Sequence, residues 1–239
     1  MRVLIIIPAY NEEHSICDVV ESIRIHAPDM DYLIINDCSK DRTEQICIEH
    51  GYNYISLPVN LGIGGGVQAG YLFALKNNYD IAIQFDGDGQ HDPAFIRNLI
   101  QPIINKEADI CIGSRFIVKE GFQTSRMRRL GIKFLSFVSY FLCGVRIKDV
   151  TSGFRAVNKR FINFYAHNYA QDYPEPEAII AAVLTGGHIK EIPVIMKERK
   201  NGVSSINIWK SIYYMIKVSL AIILYRITYQ KESSGKMSI

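Results

Sequence analysis

Residues 80–93 read Asp80-Ile81-Ala82-Ile83-Gln84-Phe85-Asp86-Gly87-Asp88-Gly89-Gln90-His91-Asp92-Pro93. An apolar run, Ile81, Ala82, Ile83 and Phe85, delivers two carboxylates, Asp86 and Asp88, into a glycine-rich turn, and Pro93 stands where a helix can start. Paired acidic oxygens are thereby expected at the carboxyl end of a buried strand, where open α/β sheets bind ligands. Mg2+ and Mn2+ take oxygens from one or two carboxylates and complete their shell with substrate phosphates. The pair therefore reads as a metal site that holds a diphosphate. An ordinary Asp/Gly turn is the competing reading. A calcium loop is not, because it needs Gly at its sixth position and Glu at its twelfth, where this chain has His91 and Arg97.

Outward from this strand, apolar β-branched runs alternate with helical patterns. Strands are expected at Val3–Ile7, Tyr32–Ile35, Tyr54–Leu57, Ile81–Phe85 and Asp109–Ile112. The intervening helices are expected at about 12–26 (with Asn11 as cap), 41–50, 65–77 and 93–105. This alternation predicts an α/β fold with a mostly parallel sheet covered by helices on both faces. The second half is less regular. It comprises an Arg-bearing connection (114–128), an aromatic-rich helix (129–143), a helix starting near Glu175, a strand around Ile189–Met196 and a last helix at about 207–226. The expected organisation is a catalytic domain over 1–205, an amphipathic helix over 206–227 and a polar tail over 228–239.

The 239 residues are 48% hydrophobic, enough for one large α/β core. A net charge of +3 gives no electrostatic footprint for nucleic acid. The five cysteines are scattered, without the spacing of a zinc site or disulfide framework, which fits a reducing cytosol. Residues 1–8 are too short and lack the flanks of a signal peptide.

Other motifs leave two readings each. Pro8-Ala9-Tyr10-Asn11-Glu12 is a strand-to-helix turn, or a wall for a base and ribose built from Tyr10 and Glu12. Asp37 ends the second strand as a turn residue or as an acceptor for nucleoside donors. The glycine run after Asn60 has Val67 where a dinucleotide fingerprint wants its third Gly, so it serves close approach, either to the sheet or to a nucleotide. Arg115, just past the fifth strand, suits a phosphate. Glu175 and Glu177 open a helix as end electrostatics or as an acid that orients an acceptor. The last helix has about 15 apolar residues flanked by Trp and Tyr, too short to span a bilayer and suited to lie in its interface, or to pack on the sheet or on a partner copy.

In this order the motifs resemble a family 2 glycosyltransferase of the GT-A fold, and within it the dolichol-phosphate mannose synthase-like branch of polyprenyl-phosphate glycosyltransferases. The residues that carry the resemblance are Pro8–Glu12, Asp37, Asn60-Leu61-Gly62, Asp86–His91, Gly113-Ser114-Arg115, Thr151–Arg155, and Arg199 with Gly202–Ser205. The resemblance implies that Pro8, Tyr10, Glu12 and Asp37 hold the nucleoside. It implies that Asp86, Asp88 and Gln90, the region of the family's DXD motif, bind Mg2+ or Mn2+ and through it the diphosphate. Arg115 and Arg199 match basic positions near the phosphates, and Glu177 matches a family acid. The implied partners are a nucleotide diphosphate sugar, a polyprenyl phosphate such as undecaprenyl phosphate, and a membrane surface, with a homo-oligomer left open. The implied location is the cytoplasmic face of the cell membrane, peripheral or monotopic. The implied chemistry is inversion at the anomeric carbon, with Asp88, Arg199 and Glu177 as the candidate catalytic residues.

Three other functions are weighed against it. A transferase of the same fold that acts on a polysaccharide or lipid-linked saccharide would need a base, for which Glu175 or Glu177 is the candidate. A nucleotidyltransferase would need a basic glycine-rich signature near its first strand, which this sequence lacks. A non-enzymatic membrane adaptor would bind lipid through the last helix without metal-dependent nucleotide binding.

Overall fold

The structure, a computed structural model, describes residues 1–123, 126–171 and 174–198, together with the helical positions 217, 219, 220 and 223. Fourteen main elements follow one another as β1 (Val3–Ala9), α1 (Ile16–His26), β2 (Asp31–Asn36), α2 (Thr43–Glu49), β3 (Tyr54–Ser56), α3 (Gly62–Lys76), β4 (Ile81–Gln84), α4 (Ile96–Ile104), β5 (Ile110–Ser114), α5 (Arg126–Cys143), β6 (Arg155–Asn158), α6 (Lys159–His167), α7 (Pro174–Leu184) and β7 (Ile189–Pro193). The seven strands form one sheet in the order β3-β2-β1-β4-β6-β5-β7. All neighbours are parallel except β6, which lies antiparallel between β4 and β5. This is the mostly parallel α/β architecture expected of a GT-A fold.

Strand composition follows from burial on both faces. In β1, Leu4 and Ile6 face a core shared with α3, α5, α6 and α7, through Val67, Tyr71, Ile132, Phe161, Tyr165 and Ile179. Val3, Ile5 and Ile7 face the other core, packed by Val19, Val20 and Ile23 of α1 and by Ile96, Leu99 and Ile103 of α4. Period-2 alternation sends successive side chains to opposite cores, so both must be apolar.

Three local expectations differ from what is observed. The first helix starts at Ile16 rather than near residue 12. Asn11 takes a positive φ of 58°, and the backbone N–H groups of Glu12 and Glu13 are drawn to Thr43 Oγ1 (2.8 Å) and Asp41 Oδ2 (3.0 Å) instead of opening a helix. The fourth helix is preceded by a short 3-10 turn, Pro93–Phe95, capped by Asp92. β6 and α6 were not anticipated. In β6 a fully buried Arg155 interrupts the apolar pattern, whereas α6 has legible helical spacing (Phe161, Ile162, Tyr165, Ala166) and a cap, Asn158 Oδ1 accepting from Phe161 N–H at 3.1 Å. Most of the last helix, the loop that carries Arg199, and the tail lie outside the described residues.

Candidate active site

Strand register brings the functional turns to one edge. β1 pairs Ala9 with Asn36 of β2, and Ile6 with Gln84 of β4. The ladder runs on past β4, with Phe85 N–H donating to Ile6 O (2.9 Å) and Gly87 N–H to Pro8 O (3.2 Å). Tyr10, Asp37 and Asp86 therefore leave the sheet side by side. They border a cleft of about 340 Å³ that gathers Pro8, Tyr10, Glu12, Asp37, Asp86 and Asp88 against Asn60, Gly62 and Ile63 at the start of α3.

Each carboxylate has a fixed place. Asp37 is 4% exposed. Its N–H donates to Ala9 O (2.9 Å) and its Oδ1 accepts from Leu61 N–H (2.7 Å), while the Asn60 amide donates to the Asp37 carbonyl (3.1 Å). The Asn60-Leu61-Gly62 motif thus holds the carboxylate that ends β2. Glu12 Oε2 accepts from Ser15 Oγ at 2.8 Å, and the same hydroxyl lies 2.8 Å from the Gly87 carbonyl. Burial pushes the neighbouring Asp41 carboxyl up, but hydrogen bonds from Thr43 and Glu13 outweigh it and hold the group below its ordinary value.

The glycine run at α3 has two duties. A Cβ on Gly64 would collide with the backbone carbonyls of Ala170 and Gln171, so this position serves packing. A Cβ on Gly66 would meet nothing closer than 3.9 Å, and this residue lines the cleft.

The 86–91 turn is built around His91. Its imidazole is buried, stacked on Phe154 (centroids 4.8 Å apart) and edge-on to Phe85 (5.3 Å). Nδ1 accepts the Asp86 N–H at 3.0 Å, which puts the ring proton on Nε2, 3.5 Å from Asp86 Oδ2. Asp88 Oδ1 accepts from Gln90 N–H at 3.0 Å. Gln90 otherwise bonds residue 197. Its carbonyl takes the Lys197 N–H (2.8 Å), and its side-chain amide faces the Lys197 carbonyl at 3.5 Å.

Among the described residues no group of three His, Cys, Asp or Glu could hold a metal by itself. The donor set nevertheless fits a hard divalent cation. It offers two carboxylates one residue apart on a cleft, with the Asp86 side chain 32% exposed, a set that substrate phosphates can complete.

Two predicted residues are placed differently. Arg115 does not project into the cleft. It is 8% exposed and forms a two-armed pair with Asp149, Nε to Oδ2 and Nη2 to Oδ1, both 2.7 Å, with a further bond to Thr151 Oγ1 at 3.0 Å. Burial would lower the guanidinium pKa, and the Asp149 carboxylate more than offsets that. On α7 the structure also places Glu175 at the site. Its carboxyl feels the charges of Arg155 and Asp86. Burial pushes it above its ordinary value, and Arg155 only partly offsets the shift. Glu177 sits half-buried two residues on, about 200° around the helix. Arg199 lies outside the described residues.

The Thr151–Arg155 motif, which the sequence left without a role, forms the floor of the site. Gly153 lies beneath Asp86, where a Cβ would stand 2.8 Å from Asp86 Oδ2 and 2.9 Å from Gln84 Nε2. The loop that carries it is anchored by Ser152 Oγ on Gly113 O (2.6 Å), and by Glu191 of β7 accepting the N–H groups of Lys148 and Asp149. A second cavity of about 290 Å³ runs along α1 behind the turn and shares Glu12 and Asp88 with the cleft.

Residues 4–165 match the sequence model described as glycosyl transferase family 2. The chain is 32% identical over 212 residues to UDP-N-acetylglucosamine–dolichyl-phosphate N-acetylglucosaminyltransferase of Methanococcus voltae, covering 80% of this chain and 84% of that protein. It is 28% identical over 216 residues to polyprenol monophosphomannose synthase of Mycolicibacterium smegmatis, covering 86% and 81%. Among solved structures it resembles glucosyl-3-phosphoglycerate synthase of Mycobacterium tuberculosis, crystallised with Mn2+, UDP and glucosyl-3-phosphoglycerate. The TM-score is 0.70 at 20% identity, over 94% of this chain and 79% of that one. At that identity the likeness shows the fold.

The Arg115–Asp149 pair yields a direct expectation. Asp149→Ala would leave a buried guanidinium without its counter-charge and should lower the unfolding free energy by about 3–5 kcal/mol. Urea denaturation followed by circular dichroism measures this, and a loss below about 1 kcal/mol, the size of an exposed pair, would contradict it.

Proposed function

The chain belongs to glycosyl transferase family 2, and we propose that it moves a sugar from a nucleoside diphosphate sugar to a polyprenyl phosphate, with inversion at the anomeric carbon. The observation that carries the donor half is the single cleft in which Asp37 and the Asp86/Asp88 pair meet. The acceptor half is supported by the relatives, named for a dolichyl phosphate and a polyprenol monophosphomannose.

In this reading Pro8, Tyr10, Glu12 and Asp37 hold the nucleoside, with Asp37 kept in place by Leu61 N–H. Asp86, Asp88 and Gln90 hold a divalent cation. The M. tuberculosis enzyme of like fold was crystallised with Mn2+ and UDP, which supports either Mn2+ or Mg2+ here. Such an ion neutralises charge on the leaving diphosphate. A phosphate-oxygen bond forms to the anomeric carbon while its bond to the diphosphate breaks, and the nucleoside diphosphate departs with the electron pair. An acceptor phosphate is already anionic near neutral pH, so no strong base is required. The chain must instead align it opposite the leaving group. Arg199 and Glu177 are kept as candidates for that task. Arg115 contributes by holding the Asp149–Gly153 loop beneath Asp86 rather than by touching phosphate.

A membrane surface is the place to meet such an acceptor. On α5, Leu130, Phe134, Phe137 and Phe141 are exposed at helical spacing and form an apolar stripe. Arg126, Arg128 and Arg129 in its first turns suit an anionic leaflet. No helix among the described residues is long and apolar enough to cross a bilayer, and residues 206–227 are proposed as a second interfacial helix.

Two measurements test this reading. Undecaprenyl phosphate incubated with UDP- and GDP-sugars and Mn2+ should gain one hexose or N-acetylhexosamine by mass spectrometry. Asp88→Ala should cut the rate at least about a hundredfold, the size of effect seen when electrostatic stabilisation of a leaving group is lost. Transfer only to saccharide hydroxyls would reject the acceptor, and full activity in chelator would reject the metal. Separately, Phe137→Glu with Phe141→Glu should weaken binding to phosphatidylglycerol vesicles, read by co-flotation, by about a hundredfold or more, because each buried aromatic contributes about 1.5–3 kcal/mol. Unchanged flotation would remove α5 from the membrane contact.

A further inference from the structure

Gln84 ends β4, two residues before Asp86, and is wholly buried. A primary amide stays neutral and presents an acceptor on one arm and two donors on the other. Here the acceptor arm is taken, since Tyr169 O–H donates to Gln84 Oε1 at 3.3 Å. A phenol O–H can donate or accept and so suits either orientation of the amide, whereas the Asp86 carboxylate only accepts; it is Asp86 that turns the NH2 toward itself. Nε2 donates to Asp86 Oδ1 at 3.3 Å. The reversed amide would set a carbonyl oxygen against the Asp86 carboxylate, acceptor facing acceptor.

Tyr169 is itself held firmly. Its ring lies edge-on to Tyr71 (centroids 5.4 Å apart) and Tyr165 (5.2 Å), within the pocket that buries Arg155. Burial pushes its phenol well above the ordinary value, so the proton that it donates stays in place. On the remaining sides of Asp86, Gly153 closes the floor and His91 takes its backbone N–H. The Asp86 carboxylate, with its Oδ2 3.5 Å from His91 Nε2, is 32% exposed and lines the cleft.

We propose that Gln84, held by Tyr169, is a positioning residue that aims the Asp86 carboxylate at the cation bound with the donor diphosphate. The inference rests on the reading of Asp86 and Asp88 as metal ligands. Groups that orient a ligating carboxylate typically change metal affinity by about 10–100-fold when removed.

Mn2+ binding in the presence of UDP or GDP, read from the loss of the free-ion electron paramagnetic resonance signal, tests it without turnover. Gln84→Leu should weaken Mn2+ binding about tenfold or more, and Tyr169→Phe should weaken it by a smaller factor in the same direction. In steady-state assays both should raise the Mn2+ concentration for half-maximal rate more than they lower kcat at saturating Mn2+. A role confined to packing would lower the melting temperature and leave Mn2+ affinity unmoved. Wild-type affinity in both variants, with binding lost in Asp88→Ala, overturns the positioning role and leaves the metal reading standing. Wild-type affinity in Asp88→Ala overturns both. If Gln84→Leu does not fold, Tyr169→Phe decides alone.

Discussion

Carboxylates crowd one edge of the sheet, and the fold has to hold each against the repulsion of the rest. Glu12, Asp37, Asp86 and Asp88 line a single cleft. At an effective dielectric near 20, two unit charges about 5 Å apart repel by about 3 kcal/mol. The chain answers with donors delivered from elsewhere, namely Leu61 N–H to Asp37, Ser15 Oγ to Glu12, Gln90 N–H to Asp88 and Gln84 Nε2 to Asp86. These bonds fix the oxygens without cancelling their charge. A cleft arranged this way favours a divalent cation and, through it, a diphosphate that would otherwise be repelled.

The antiparallel strand β6 gives the arrangement its floor. By entering between β4 and β5 it brings the Asp149–Phe154 loop under Asp86, where Gly153 leaves room for the carboxylate and Phe154 stacks on His91. Arg115, just past the end of β5, clamps the start of that loop through Asp149. Arg155 is fully buried with its guanidinium on the carbonyls of Ser152 and Glu175, joining the loop to the start of α7. A buried ionic group is weak evidence for net stability; here these bonds tie together the chain segments that border the Asp86–Asp88 turn.

Most of this fold was legible in the sequence where burial forces composition. β1, β2 and β4 must be apolar on both faces, so their runs stand out, and the acidic turns that follow them could be placed on one edge. β6 was not legible because Arg155 occupies a core position and its hydrogen-bond partners are invisible in one dimension. Arg115 looked like a phosphate ligand because nothing local shows that Asp149, 34 residues on, returns to meet it. Glu175 and Glu177 were indistinguishable because both open α7, and only the folded chain shows that Glu175 feels the charges of Arg155 and Asp86. His91 stood within the Asp86–His91 motif without a role, although a ring nitrogen five residues past Asp86 in the same turn is within reach of its backbone. Gln84 could not, because its role depends on Tyr169, 85 residues away.

The central claim is that the Asp86/Asp88 pair binds a nucleoside diphosphate only through a divalent cation. Calorimetric titration of UDP and GDP into the full chain, with Mn2+ and again with excess chelator, tests this most directly. The account predicts saturable binding of at least one nucleotide with Mn2+ and a loss of affinity of at least about tenfold in chelator. Equal affinity in the two conditions would contradict it.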